Sequence, residues 1–150
     1  MSTGSGYIQI LMKPVTKKLA SREYRHNNHS VGSATVHLVW IPKRRKPVLV
    51  GEVKQRLYEI LTEVTAEKGW FIKALEIAPD HVHMLVEHDP STAINQIVKA
   101  LKGRSSRILR KEFPHLLKIP ALWTHAYFYD TTGKVSSAII QDYINDPHHY

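Results

Sequence analysis

Apolar residues recur along the chain at two different periods, and the order in which the periods follow one another predicts a fold. Residues 33–42 (SATVHLVWIP) are β-branched and aromatic and close on Pro42, which reads as a first strand. Over 51–69, Val53, Leu57, Ile60, Leu61 and Val64 recur at helical spacing, with Gly69 as a stop signal. Residues 70–79 (WFIKALEIAP) and 81–88 (HVHMLVEH) read as a second and third strand joined by a tight Pro79–Asp80 turn. A second helix is predicted over 89–114, starting at Pro90 or Ser91, with Ile94, Ile97, Val98, Leu101, Ile108 and Leu109 as its buried stripe. Gly103 marks a place for a kink or a close backbone approach. A fourth strand is expected within 121–132, and a last amphipathic helix over 135–146, stopped by Pro147.

The order β-α-β-β-α-β plus a helix is the split β-α-β, ferredoxin-like plan of the α+β class. It predicts a four-stranded antiparallel sheet with the first two helices on one face. The other face is left for the C-terminal helix, a partner or nucleic acid. The first strand's run VHLVW would then be an exposed edge, which predicts pairing across a two-fold axis. Residues 1–30 lack either period. They are polar and basic and read as a flexible arm with a short ordered piece around Tyr7–Met12. The 150 residues therefore divide into this arm and one domain over 31–150.

Composition narrows the function classes. There is no cysteine, which excludes disulfide and thiolate chemistry and fits a cytosolic address. No apolar run approaches the roughly 20 residues that cross a membrane, and the N-terminus has no basic-then-apolar signal pattern. The formal net charge of +8 favours a polyanionic partner. Lys99, Lys102, Arg104, Arg107, Arg110 and Lys111 crowd the second helix with only Glu112 nearby to offset them, and Arg44 and Arg45 follow the first strand. These eight are assigned to nucleic-acid phosphates.

Within the third strand, His81 and His83 share one face, since residues i and i+2 of a strand point to the same side, roughly 6.6 Å apart. Val82, Met84 and Val86 face the helices instead. An isolated His-x-His is more often two half-exposed surface residues than a site. Two imidazoles on a stiff strand can nevertheless grip a metal at about 2.0–2.1 Å, with a further ligand coming from elsewhere. His37, on the first strand, reads as structural. In the last helix Val135, Ile139 and Tyr143 fall on one face, and a tyrosine in such a stripe usually packs. Tyr127 and Tyr129 read as packing beside the fourth strand, and Tyr150 as a mobile terminus.

Taken together, PDHVHMLVE, IQDYIND, LVWIPKRRKPVLVGEV, VKALKGRSSRILRKEFP and LWTHAYF resemble the single-tyrosine HUH (His-hydrophobic-His) transposases of the insertion-sequence 200/605 type, from about Ser33 to Asp146. The resemblance implies cleavage and rejoining of single-stranded DNA next to hairpins, through a 5′-phosphotyrosine on Tyr143 and a free 3′-hydroxyl. It implies a divalent cation, Mg2+ or Mn2+ in its place, on His81 and His83, and no nucleotide cofactor. It also implies a homodimer in which the tyrosine helix of one chain serves the histidines of the other. The family commonly carries a glutamine one turn beyond the nucleophile as a metal ligand, where this chain has Pro147. Asp146, on the face of Tyr143, is the favoured third ligand, ahead of His148 and the neighbouring Asn145. Neutral histidines are needed for metal binding, so activity is expected to fail at acid pH.

Two rivals follow from the same residues. One is a non-catalytic ferredoxin-like nucleic-acid binder, which would stack bases on exposed sheet aromatics. The predicted open face instead presents His81, His83 and Leu85. The other is a metal-dependent hydrolase with water as its nucleophile.

Overall fold

The computed structural model describes residues 8–10, 24–26 and 31–150, so most of the arm predicted over 1–30 lies outside the described residues. In chain order the elements are β1 (Ile8–Ile10), β2 (Arg25–His26), β3 (Val31–Gly32), β4 (Ala34–Trp40), α1 (Gly51–Lys68), β5 (Phe71–Ala78), β6 (His81–His88), α2 (Ile94–Glu112), β7 (Phe128–Asp130) and α3 (Ser137–Asn145). The main sheet runs β1-β5-β6-β4-β7, while β2 and β3 pair separately. All pairs are antiparallel. Strands β5-β6-β4-β7 are the ferredoxin-like core, with β1 added at its edge.

Alternation along the strands sorts their side chains onto two faces. Val36, Leu38 and Trp40 of β4, Leu75 and Ile77 of β5, and Val82, Met84 and Val86 of β6 meet Leu57, Ile60 and Leu61 of α1 and Ile97, Leu101 and Leu109 of α2 in one core. Full burial of each such side chain is worth about 1.5–3 kcal/mol. The Trp40 and Trp123 rings meet edge to face in this core. Gly69 stops α1 in the left-handed region at φ 77°, where its N–H closes on Thr65 and Ala66.

Several boundaries differ from the sequence pattern, each for a local reason. Helix α2 starts at Ile94, because Asp89 draws the Ser91 and Thr92 hydroxyls and the Trp70 indole N–H into a turn. The Gln96 side chain then caps the helix by accepting from the Ala93 N–H. Gly103 sits in uninterrupted helix, and a Cβ there would meet nothing within 4 Å, so no close approach needs it. Ser105 joins the buried stripe, since its hydroxyl accepts from the Trp123 indole and donates to the Leu101 carbonyl. The fourth strand shrinks to three residues. The segment before it is tied elsewhere, by Lys43 N–H to Leu122 O at 2.7 Å and Thr124 N–H to Ile41 O at 3.1 Å.

The expected two-fold pairing through the first strand is corrected. Strand β4 is central: residues 34–40 pair with β6, and His37, Leu38 and Val39 pair with β7 on the other side. Over residues 37–39 both sides of β4 are therefore taken within the chain. The C-terminal helix takes the face opposite α1 and α2, resting Ile140 and Ile144 on Val39 and Ile41. Ile139, placed in the stripe by the sequence pattern, is 39% exposed. Ser136 caps this helix, its hydroxyl oxygen accepting from the Ile139 N–H. Among the described residues, no helix is long and apolar enough to cross a membrane.

Candidate active site

Strand register gathers the chemistry on the face covered by α3. His83 lies opposite Val39 on one neighbouring strand and Glu76 on the other, and His81 lies opposite Ala78. His37, one pleat along β4, brings its Nδ1 to 3.0 Å from His83 Nε2, with the rings stacked at 5.3 Å. His83 Nδ1 is 4.0 Å from the Glu76 carboxylate. Burial, reinforced by His37 and His81, pushes the His83 imidazole down to about 4, so it is neutral at physiological pH. Burial lowers His37 as well, against the opposing pull of Asp130.

His81 is 2% exposed, and its Nδ1 lies 3.0 Å from Asp80 Oδ1. The hydrogen bond to His81, with a second from Arg45, holds the Asp80 carboxyl at about 2 against its own burial. An ionised carboxylate only accepts, so His81 Nδ1 is the donor in this contact.

Tyr143 projects from α3 beside the same face. Its ring stacks on His149 at 4.0 Å and tilts against Phe128 at 5.9 Å. Its hydroxyl is buried with no hydrogen-bond partner among the described residues. Burial, with the Asp146 charge adding to it, pushes the phenol up to about 12. A buried hydroxyl left unpaired costs about 1–3 kcal/mol, and the Trp40 indole N–H in the main core is the other unpaired buried group among the described residues.

Of the three residues considered as third metal ligand, the Asp146 and Asn145 side chains have partners within the chain, and His148 is exposed. Asp146 accepts from the His148 N–H at 3.0 Å and lies 3.5 Å from His149 Nε2. Asn145 accepts from Arg45 at 2.9 Å. Among the described residues, no three His, Cys, Asp or Glu side chains of one chain are grouped to hold a metal. The donors brought together are the two strand imidazoles, with the Asp80 and Glu76 carboxylates beside them. Neutral nitrogen flanked by carboxylate suits part of a divalent cation's shell and leaves oxygen positions to other donors.

The eight cations assigned to phosphates split in two. Arg104 makes a two-pronged pair with Glu67 of α1 at 2.7 and 3.0 Å. Arg110 donates to Ile119 O at 2.9 Å. Lys102 donates to Thr124 O at 2.6 Å and Ala126 O at 3.2 Å, and burial lowers its amine to about 8. Arg45 is bound to Asp80, Asn145 and the Tyr150 hydroxyl. Arg45, Lys102, Arg104 and Arg110 thus have partners within the chain. Arg44, Lys99, Arg107 and Lys111 are exposed. Tyr150, read from the sequence as a mobile terminus, is docked: its hydroxyl accepts from Arg45 Nη1 at 2.8 Å and donates to Ile144 O at 3.1 Å.

Three residues to which the sequence pattern gave no part in the site border it: His37, read as structural, and Glu76 and Asp80. Asp80 was visible as the neighbour of His81 in PDHVH, with a carboxylate suited to orient it. His37 and Glu76 reach the site through strand register alone.

Comparison with known proteins gives concordant matches. The family described as "Transposase IS200 like" matches residues 30–147. The ISDra2 transposase TnpA of Deinococcus radiodurans is 41% identical over 115 residues, spanning 75% of this chain and 82% of that protein. The transposase for insertion sequence element IS200 of Salmonella typhimurium is 34% identical over 119 residues, spanning 77% and 78%. A crystal structure from Deinococcus radiodurans, described as a candidate transposase, superposes with a TM-score of 0.77 at 38% identity, over 84% of this chain and 99% of that one.

Proposed function

The chain belongs to the IS200-like transposase family, and from that membership we propose that it cuts and rejoins single-stranded DNA beside hairpins, with Tyr143 as nucleophile. The observation that carries this reading is the buried, unpartnered Tyr143 hydroxyl on the helix that covers the histidine face. Tyr143 Oη attacks phosphorus and the bond to the 3′ oxygen breaks. This leaves a 5′-phosphotyrosine and a 3′-hydroxyl. The phenol gives up its proton and the departing oxygen takes one up, so the step consumes no net proton. Attack by a 3′-hydroxyl on the phosphotyrosine reverses it and reseals a strand.

His81 and His83 are the proposed cation ligands, each neutral when bound. A bound Mg2+ or Mn2+ neutralises charge on the scissile phosphate and polarises its oxygens. Asp146 remains the proposed further ligand, contributed with Tyr143 by the tyrosine helix of a second copy. A phenol at about 12 is a poor nucleophile where it lies. The proposed assembly is a homodimer in which the tyrosine helix of one chain serves the histidines of the other. Arg44, Lys99, Arg107 and Lys111 are the proposed phosphate contacts.

Labelled hairpin-flanked single strands incubated with the protein and Mn2+ test the reading. The expected product is a protease-sensitive covalent adduct. It should fall at least about a thousandfold in Tyr143→Phe, with hairpin binding retained. Cleavage by the Tyr143→Phe protein without an adduct would show a hydrolase instead. Binding by the unaltered protein without any adduct would show a non-catalytic binder.

A further inference from the structure

One carboxylate links the histidine strand to the tyrosine helix. Asp80 presents Oδ1 to His81 Nδ1 at 3.0 Å and Oδ2 to Arg45 Nε at 2.8 Å. The same guanidinium reaches Asn145, at the end of α3, at 2.9 Å, and the Tyr150 hydroxyl at 2.8 Å. Tyr150 in turn bonds the last turn of α3 through Ile144 O. The turn that carries Arg45 holds both Arg44 and Arg45 at positive φ, 59° and 53°, and the Arg44 N–H bonds the Tyr150 carbonyl at 3.4 Å. A backbone outlier of this kind persists only where its surroundings impose it, and here they aim the guanidinium at three partners.

We propose that Asp80 and Arg45 are positioning residues acting as one device. Asp80 fixes His81 in the tautomer that presents Nε2 to a divalent cation, and through Arg45 the same carboxylate fastens the end of the helix bearing Tyr143. Cation binding and the docking of the tyrosine helix thus depend on one shared group. The cation part rests on the reading that His81 and His83 hold the metal. A carboxylate is suited to the task because both its oxygens accept, whereas an amide accepts at only one. Arginine is suited because a single planar fork reaches an acid, an amide and a phenol together, which a lysine ammonium on the same backbone cannot do.

Two readouts on the full-length chain separate the arms. Nitrogen spectra of the histidine rings in metal-free protein report the His81 tautomer, and hydrogen exchange reports protection of residues 144–150. Calorimetry with Mn2+ alone gives the affinity. In Asp80→Ala, His81 should lose its single-tautomer pattern, residues 144–150 should exchange faster, and Mn2+ affinity should fall about ten- to hundredfold. In Arg45→Lys, exchange should quicken while the His81 pattern stays. If Asp80→Ala does not fold, Asp80→Asn decides, because its one acceptor oxygen can keep only one arm. An Asp80 variant that keeps both the His81 pattern and the C-terminal protection overturns the proposal, as does an Arg45→Lys protein with unaltered exchange. Failure of the unaltered protein to bind Mn2+ would sink the metal reading alone, since tautomer and exchange are measured without metal.

Discussion

The histidine strand and the tyrosine helix are built on opposite principles. Strand β6 has a hydrogen-bonded neighbour on each side, and its other face is sealed in the main core. His81 and His83 are therefore held by the stiffest part of the molecule, with a carboxylate and a third imidazole already against them. Helix α3 is nine residues long, and its buried anchors are Ile140 and Ile144. Isolated helices of that length are marginal, so its docking depends on those two side chains and the Arg45 contacts. The phenol it carries is pushed to about 12, while the imidazole it would serve is pushed to about 4. On the proposed reading, the metal-binding half is held by the sheet, and the nucleophile sits on the less firmly anchored element.

The largest expected effect comes from breaking the rigid half. His83→Ala should lower Mn2+ affinity by at least about a hundredfold, beyond the cost of losing an outer-shell partner, as measured by calorimetry, while α3 keeps its hydrogen-exchange protection. Breaking the helical half should do the reverse. Ile144→Ala removes a side chain 1% exposed and should weaken helix docking by about 2–4 kcal/mol. The same change should bring the Tyr143 titration, followed by ultraviolet absorbance, down from about 12 towards its ordinary 10.0.

Acid sharpens the contrast through linkage. The folded His83 titrates near 4 and the unfolded one near 6.5, so between those values the unfolded chain binds the extra proton. Stability from this group is complete above 6.5 and is lost as pH falls towards 4. Chemical denaturation across that window should show the decline, and His83→Gln should flatten it. The smallest effect tests the division among the cations. Arg107→Ala should reduce the salt dependence of hairpin binding by about one charge. Arg104→Ala, which loses only the pair with Glu67, should leave that slope as it was.

What the sequence revealed and what it hid follow the range of the interactions involved. The β-α-β-β-α-β order is written in periods of two and 3.6, which are local, and the shared face of His81 and His83 follows from a spacing of two. The central position of β4 depends on β7, far along the chain, so an apolar run that looked like an edge proved to be flanked on both sides. Arg45 looked like an open cation because its partners Asp80, Asn145 and Tyr150 lie 35, 100 and 105 residues away. His37 reads as structural in the sequence because only strand register brings it to His83. Lys102 and Arg110 are consumed by backbone carbonyls, which leave no trace in side-chain pattern.

All three tryptophans are sequestered: Trp40 is 0%, Trp70 5% and Trp123 6% exposed. Two of them pair in the core, and the third is fastened to Asp89. Intrinsic fluorescence of this protein is therefore a built-in gauge of its interior. A soluble quencher should barely dim it, and DNA stacking directly on an indole is sterically blocked. Any change in emission on adding DNA or metal would then register an internal rearrangement of the fold, observable without attaching a dye.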